Sequence, residues 1–161
     1  MRDNRDNIVH KSALRSSEAV DFLVLMLGMM LYSLHPLPFD NMVPRLVQLV
    51  TGPVLAALGI YLILTAKSEL KKYDQYAQPG WDTTRLVTTG IYSRSRNPIY
   101  LASLLFHCTI GFLANNLWFF ILLPLSMAMI NFWLIGPEEA FFRRKYEREY
   151  EEYCRRVKRW L

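Results

Sequence analysis

The sequence predicts an all-α integral membrane protein with about four transmembrane helices and a C-terminal amphipathic helix. The 161 residues are 52% hydrophobic and 20% charged, and the two kinds are separated into blocks along the chain. Two apolar blocks hold about 20 residues without a charge, enough helix to cross about 30 Å of hydrocarbon. The block that begins at Leu117 lacks the polar face that a helix of a soluble bundle presents.

The predicted elements form a single domain of residues 1–161. In chain order they are a cytoplasmic arm at 1–17, two spans within 18–66, a cytoplasmic loop at 67–97, a helical hairpin at 98–136 and a cytoplasmic tail at 137–161. The four spans themselves are predicted at 22–34, 46–66, 99–114 and 117–136.

Helix breakers and caps set the boundaries of these elements. Pro36 ends the first span, because proline cannot continue a helix. Pro98 suits the first turn of the third helix, and Asn97 before it is a good N-cap. The loop ahead of them looks extended over 86–92, where Gly90 permits a backbone conformation that other residues resist. This loop is the main candidate for site backbone.

The tail is predicted to form the amphipathic helix. Its aromatic residues recur at helical spacing beside a strongly charged face, so the helix would lie on the membrane or cap the hairpin. The aromatic residues are Phe142, Tyr146, Tyr150 and Tyr153.

Basic residues predict the orientation in the membrane. Eighteen of the 19 lysines and arginines fall in the arm, the loop and the tail, and only Arg45 falls on the opposite side. Because positive charge flanking short loops stays on the cytoplasmic side, both termini are predicted to be cytoplasmic, in an inner or plasma membrane. The net charge of +5 then needs no nucleic-acid partner, and membrane lipids are the expected one.

Cysteine usage gives no sign of a disulfide or a metal. Cys108 falls in a predicted span and Cys154 in the tail, without a CxxC pair or a Cys/His cluster. No metal site is therefore predicted.

Polar groups bracket the charge-free run of residues 101–137. Arg96 to Tyr100 precede it, and Glu138 and Glu139 follow it. The helix that begins at Pro98 presents free N–H groups and a partial positive charge, which can hold a carboxylate or a phosphate. Ionisable groups at both ends of a membrane hairpin suggest a site, and the orientation places both ends on the cytoplasmic side.

Four linked motifs give this bracket a chemical meaning. As they stand in the sequence they are Gly90-Ile91-Tyr92, Arg96-Asn97-Pro98-Ile99-Tyr100, Glu138-Glu139, and Tyr146, Tyr150 and Tyr153 followed by Val157-Lys158-Arg159-Trp160. In order and spacing, over residues 79–161, they resemble the isoprenylcysteine carboxyl methyltransferase family and its phospholipid methyltransferase relatives.

The resemblance implies an integral membrane enzyme that binds S-adenosylmethionine between its last two spans and transfers the methyl group to a lipophilic acceptor. The acceptor would be a small molecule or a lipid-linked substrate. The positions that match the cofactor-binding residues of the family are Leu86, Val87, Tyr92, Asn97, Pro98, Ile99, Tyr100, Glu138 and Glu139.

The residue types suit this chemistry. Carboxylates such as Glu138 and Glu139 accept hydrogen bonds from ribose hydroxyls, and Tyr92 and Tyr100 offer ring faces or hydroxyls. Methyl transfer from a sulfonium is an in-line displacement, so alignment and exclusion of water are the main requirements. It needs no metal, and no catalytic side chain is assigned.

Departures from the family pattern concern the acceptor and the tail. Asn97 stands where the family usually has His, Glu147 where it has Gly, and Lys158 where it has Pro. Leu134 occupies the place where the prenylcysteine enzymes have an Arg for the substrate carboxylate. The prenylcysteine assignment is weakened, whereas methyl transfer is not.

Several functions remain open on the sequence. The acceptor could be an isoprenylcysteine-type carboxylate, a lipid amine or a hydrophobic small molecule. Alternatively, the chain is an NADPH-dependent enzyme resembling sterol reductases, or a non-catalytic family member. His107 is interpreted mainly as a packing residue, although an ionisable group inside a span is also a functional candidate.

Overall fold

A computed structural model describes the backbone of residues 5–75 and 85–161, and every regular element within these ranges is helical. This confirms the predicted all-α class. The elements are α1 (Arg5–Leu34), α2 (Arg45–Lys71), a 3₁₀ turn (Gly90–Ser93), α3 (Pro98–Leu113), α4 (Trp118–Ile121), α5 (Leu123–Met129), a π-helical turn (Ile130–Ile135) and α6 (Gly136–Arg156). Residues 76–84 of the predicted loop lie outside the described ranges.

Two helices in the described part are long and apolar enough to cross a membrane. They are α2, with 27 residues, and the continuous stretch Trp118–Arg156, with 39 residues. The apolar part of the second ends at Gly136, and charged residues follow. Helix α3 has 16 residues, about 24 Å at 1.5 Å per residue, which is shorter than the hydrocarbon core. The count of four spans therefore stays a prediction.

Two predicted helix boundaries agree with the structure, whereas α1 begins at Arg5, within the segment predicted as an arm. Helix α1 ends at Leu34 and α3 begins at Pro98, as the prolines indicate. Gly90 has a φ of +58°, the left-handed conformation expected of it, and a Cβ there would lie 2.6 Å from the carboxyl carbon of Glu69. The prediction of extended backbone over 86–92 is wrong at its end, because Gly90–Ser93 form a 3₁₀ turn, and the segment ahead of Gly90 does not pair as a strand.

Helices α2 and α3 pack antiparallel, which requires small residues at their contact. A Cβ on Gly52 would lie 2.9 Å from the side chain of Leu113, and one on Gly59 would lie 3.1 Å from Phe106. Small residues at helical spacing let membrane helices approach closely. Arg45, the one basic residue predicted on the far side, donates to the carbonyls of Phe112 and Leu113 at 3.1 and 2.9 Å and so caps the end of α3.

The turn after α3 is fixed by two asparagines. Asn115 has a φ of +50°, and its side chain accepts a hydrogen bond from the Phe39 amide at 2.9 Å. Asn116 is buried and donates to the Gly28 carbonyl at 3.3 Å. The uncharged turn thus fastens the hairpin to α1 and to the connection that follows it.

The stretch Trp118–Arg156 is interrupted at three places. Pro124 and Pro137 lie in the first turns of α5 and α6, where the missing proline N–H breaks the regular hydrogen-bond ladder. The π-helical turn lies directly before Pro137. The third break is at Glu147, whose φ of +42° bends α6.

The bend bears on one departure from the pattern that the sequence resembles. Glu147 stands where that pattern has glycine, and its backbone adopts the positive φ that glycine adopts without steric cost. A side chain in such a sparsely populated backbone conformation costs about 1–3 kcal/mol. Glu147 therefore keeps the bend at a cost that glycine would not have.

We predict that Glu147→Gly raises the midpoint of thermal unfolding in detergent, because it removes the strain of a side chain at positive φ. Glu151→Gly is the matched control, since Glu151 is an exposed glutamate in the regular part of α6. Glycine there should destabilise by about 1 kcal/mol. A decrease of equal size in both variants would contradict the assigned backbone strain.

Candidate cofactor site

A hydrogen bond joins the two ends of the apolar hairpin. The Tyr100 hydroxyl, in the first turn of α3, donates to Glu138 Oε1 in the first turn of α6 over 2.9 Å. Tyr92, in the 3₁₀ turn, lies within electrostatic range of both Glu138 and Tyr100. We call Tyr92, Tyr100 and Glu138 the Glu138 cluster. All three were predicted separately as site residues.

Burial changes the ionisation of this cluster. Glu138 lies beyond Gly136, outside the apolar part of its helix, and burial there raises its pKa to about 7. Burial is also the main cause of the raised pKa of Tyr92, and the negative potentials of Tyr153 and Glu138 raise this pKa further. Near neutral pH the Glu138 carboxyl therefore exchanges between its acid and its carboxylate.

Glu139 has different partners from its neighbour. Arg159 binds its carboxylate in a bidentate manner, with Nε 3.0 Å from Oε1 and Nη2 2.7 Å from Oε2. Arg96 Nη1 approaches Oε1 at 3.1 Å. A third Arg159 nitrogen donates to Asn131 Oδ1 at 3.2 Å, in the π-helical turn. We call Arg96, Glu139 and Arg159 the arginine–glutamate network.

Residues just before α3 also donate hydrogen bonds to main-chain carbonyls of the C-terminal segment. Asn97 Nδ2 donates to the Arg159 carbonyl at 2.9 Å, and the Arg96 amide donates to the Lys158 carbonyl at 3.1 Å. Asn97 precedes α3 as predicted, but its side chain forms no capping hydrogen bond to that helix. Its amide instead joins the motif of residues 96–100 to the C-terminal motif of residues 157–160.

Arg96 also contacts the tail helix. Its Nη1 lies 3.2 Å from the Tyr150 hydroxyl and contacts Cys154 Sγ, and its guanidinium carbon lies 6.0 Å from the centre of the Tyr150 ring. Among the buried side-chain polar atoms of the described residues, Arg96 Nε is the one without a hydrogen-bond partner. A buried N–H donor without an acceptor is costly, and an anionic ligand would satisfy it.

The remaining predicted residues support the backbone around the cluster. Leu86 packs with Tyr150, Tyr153 and Val157 of the tail, and the Tyr153 hydroxyl donates to the Tyr92 carbonyl at 2.7 Å. Of the other three, Val87 and Pro98 are buried and Ile99 is half-buried.

Arg96 and Arg159 were not among the residues predicted to bind the cofactor, although Arg96 opens the polar bracket of the hairpin. Both lie within the quoted motifs, one before Asn97-Pro98 and one before Trp160. A buried acidic residue needs a cationic partner, so Glu139 could have indicated that two of the nearby arginines are paired. It could not indicate which ones.

We predict that Glu139→Gln lowers the midpoint of thermal unfolding much more than Glu138→Gln. The first change leaves two arginines facing a neutral amide, a loss of about 2 kcal/mol or more. In the second, the Tyr100 hydroxyl can still donate to the amide oxygen. Equal midpoints for the two variants in the same detergent would refute the distinction between the neighbouring glutamates.

Comparison with known proteins identifies the family. The family model described as phospholipid methyltransferase matches residues 47–149, from α2 into α6. The match includes the Glu138 cluster and Glu139. No curated protein and no solved structure shows significant similarity to the chain. Since the match covers more than half of its residues, the chain belongs to the phospholipid methyltransferase family.

Proposed function

We propose that this protein is an integral membrane methyltransferase that moves a methyl group from S-adenosylmethionine to a lipophilic acceptor. Membership of the phospholipid methyltransferase family supports methyl transfer, and two helices able to span a membrane support an enzyme that works at the bilayer. The cofactor and the nature of the acceptor are the parts of this proposal that require experiment.

The observation that carries the proposal is the hydrogen bond between Tyr100 and Glu138. This bond holds the Glu138 carboxyl group next to the Tyr100 ring, and Tyr92 lies beside them on the loop. A nucleotide-linked sulfonium presents hydroxyl groups, an aromatic base and a positive charge. Carboxyl oxygens and tyrosine rings are the groups that bind these features.

The described residues also fit the amino acid part of the cofactor. Its carboxylate would satisfy Arg96 Nε, the buried donor without a partner. Glu138 would accept hydrogen bonds from the ribose, and Tyr92 and Tyr100 would pack against the base or the sulfonium. When bound, S-adenosylmethionine supplies a methyl group on a cationic sulfur.

The protein's own contribution is alignment. The arginine–glutamate network fixes the start of α3 against the start of α6, so Tyr100 and Glu138 keep a constant separation. The aromatic end of α6 and the segment around Leu86 exclude water from one side. Holding the reacting groups in line in a site with little water lowers the barrier without a metal or a covalent intermediate.

The bilayer-facing surface beside this site supports a lipophilic acceptor. Phe132 and Trp133, in the π-helical turn of the same helix, are 77% and 63% exposed. In a spanning helix such residues face lipid, and they lie within two turns of Glu138. An acceptor dissolved in the bilayer would therefore reach the site laterally.

The first test is ligand-dependent stability of the detergent-purified protein. S-adenosylhomocysteine should raise the unfolding midpoint, by the equivalent of about 2.7 kcal/mol at 100 times its dissociation constant. Glu138→Gln should fold and bind it more weakly, because the amide keeps the Tyr100 contact but loses the anionic acceptor. Stabilisation by NADPH and not by S-adenosylhomocysteine would favour the reductase alternative, and stabilisation by neither would favour a non-catalytic protein.

A second test concerns Asn97, the departure that favours the non-catalytic alternative. The structure gives this residue a positioning role, through its donation to the Arg159 carbonyl. Asn97→His offers a ring N–H in place of the amide and should retain S-adenosylhomocysteine binding within a few-fold. Asn97→Leu removes the donor and should weaken binding about tenfold. If both variants bind like the wild type, Asn97 does not position the site.

A further inference from the structure

Four polar side chains meet inside the helical bundle. Ser103 donates a hydrogen bond to Asp21 Oδ1, and His107 Nε2 lies 3.6 Å from the same oxygen. On the other side of the imidazole, Ser126 Oγ lies 3.2 Å from His107 Nδ1. The four residues come from α1, α3 and α5, and we call them the Asp21 cluster.

Access to this cluster is through the aspartate. His107 is 3% exposed and Ser126 is fully buried, whereas the side chain of Asp21 is 40% exposed. Ionisable groups in an apolar bundle are costly and are usually kept for a function. A molecule that enters the bundle would therefore contact Asp21 first, with the His107 imidazole behind it.

The Asp21 cluster is continuous with the Glu138 cluster. Tyr100, Ser103 and His107 are spaced by three and four residues, so they share one face of α3. Tyr100 lies within electrostatic range of Asp21 and donates to Glu138. A line of polar groups thus runs along α3 from the proposed cofactor site into the bundle.

We propose that Asp21 and His107 accept the proton that a protic methyl acceptor, an amine or a thiol, loses during the transfer. The inference rests on the proposed function. His107 was interpreted from the sequence mainly as a packing residue, but packing alone explains neither its approach to Asp21 nor its contact with Ser126.

The proton and electron balance of the step is complete with these groups. The acceptor's lone pair forms the bond to the methyl carbon, and the carbon–sulfur bond breaks with its electron pair left on sulfur. The N–H or S–H proton passes to the Asp21 carboxylate and on to His107 Nε2. The imidazolium is then stabilised by Asp21 on one side, while Nδ1–H donates to the Ser126 hydroxyl on the other.

The charge of Asp21 disfavours a carboxylate acceptor. Asp21 lies within electrostatic range of Tyr100, so an anionic acceptor between the two would be repelled by the aspartate. A carboxylate acceptor is also already ionised and has no proton to lose, so Asp21 and His107 would have no proton to accept. An ammonium group is attracted by the same aspartate and must lose its proton before it can attack.

The test compares acceptors of different protonation. Purified protein in mixed micelles is given labelled S-adenosylmethionine with phosphatidylethanolamine, a long-chain alkyl thiol or a prenylcysteine carboxylate. We expect transfer to the amine or the thiol. Asp21→Asn, which keeps the hydrogen bond from Ser103, should lower kcat about 100-fold, in the range of general-base catalysis, with little change in the KM for S-adenosylmethionine. His107→Gln should do the same.

The matched control is Thr109→Val. Thr109 is buried in the same helix and its hydroxyl donates within α3 to the Leu105 carbonyl at 2.9 Å, so its loss should leave kcat unchanged. Should His107→Gln fail to fold, Asp21→Asn decides alone, since Asp21 is partly exposed.

The outcomes separate the two proposals. If S-adenosylhomocysteine does not stabilise the wild type, the proposed function fails and the inference fails with it. If it does stabilise, but transfer goes only to the carboxylate or to none of the three acceptors, the inference alone is overturned. Asp21→Asn at the full wild-type rate overturns it as well.

Discussion

The pairing of Glu139 with two arginines is the interaction on which the rest of this structure depends. Arg96 lies just before α3, Glu139 lies in the first turn of α6, and Arg159 lies beyond the end of α6. One carboxylate thus fixes three segments that are far apart in the sequence. Because Arg96 and Glu139 are largely buried, removing Glu139 would leave two guanidinium groups without their carboxylate. This requirement keeps the start of α3 against the start of α6.

The two neighbouring glutamates consequently have separate roles. Glu139 is saturated by arginine hydrogen bonds, whereas Glu138 accepts a hydrogen bond from a tyrosine and has a pKa near neutrality because it is buried. A carboxyl group with a neutral partner can exchange that partner for a ligand at little cost. A carboxylate that is bound by two guanidinium groups cannot. The structural role of Glu139 therefore leaves Glu138 available for the cofactor.

Much of this fold could be predicted from the sequence, because its signals are local. Prolines and apolar runs indicate where α1 ends and where α3 begins, and the glycine at position 90 indicates a positive φ. The partners of Glu139 could not be predicted, since eighteen basic residues lie on the predicted cytoplasmic side and spacing does not say which of them pair. The approach of Asp21 to His107 was missed for the same reason: it joins residues 86 positions apart, through a contact that no periodicity records.

The π-helical turn at Ile130–Ile135 determines the directions in which the glutamates point. A turn of this kind holds one residue more than an α-helical turn, so everything after it is rotated by about 100° relative to an uninterrupted helix. Adjacent residues on a helix differ by the same angle. In a strictly α-helical version of this stretch with the same residues, Glu138 would take the direction that Glu139 has here, and Glu139 would turn away from both arginines. The extra residue of the wide turn thus determines which glutamate meets tyrosine and which meets arginine, and a deletion that removed that residue would leave both directions unchanged.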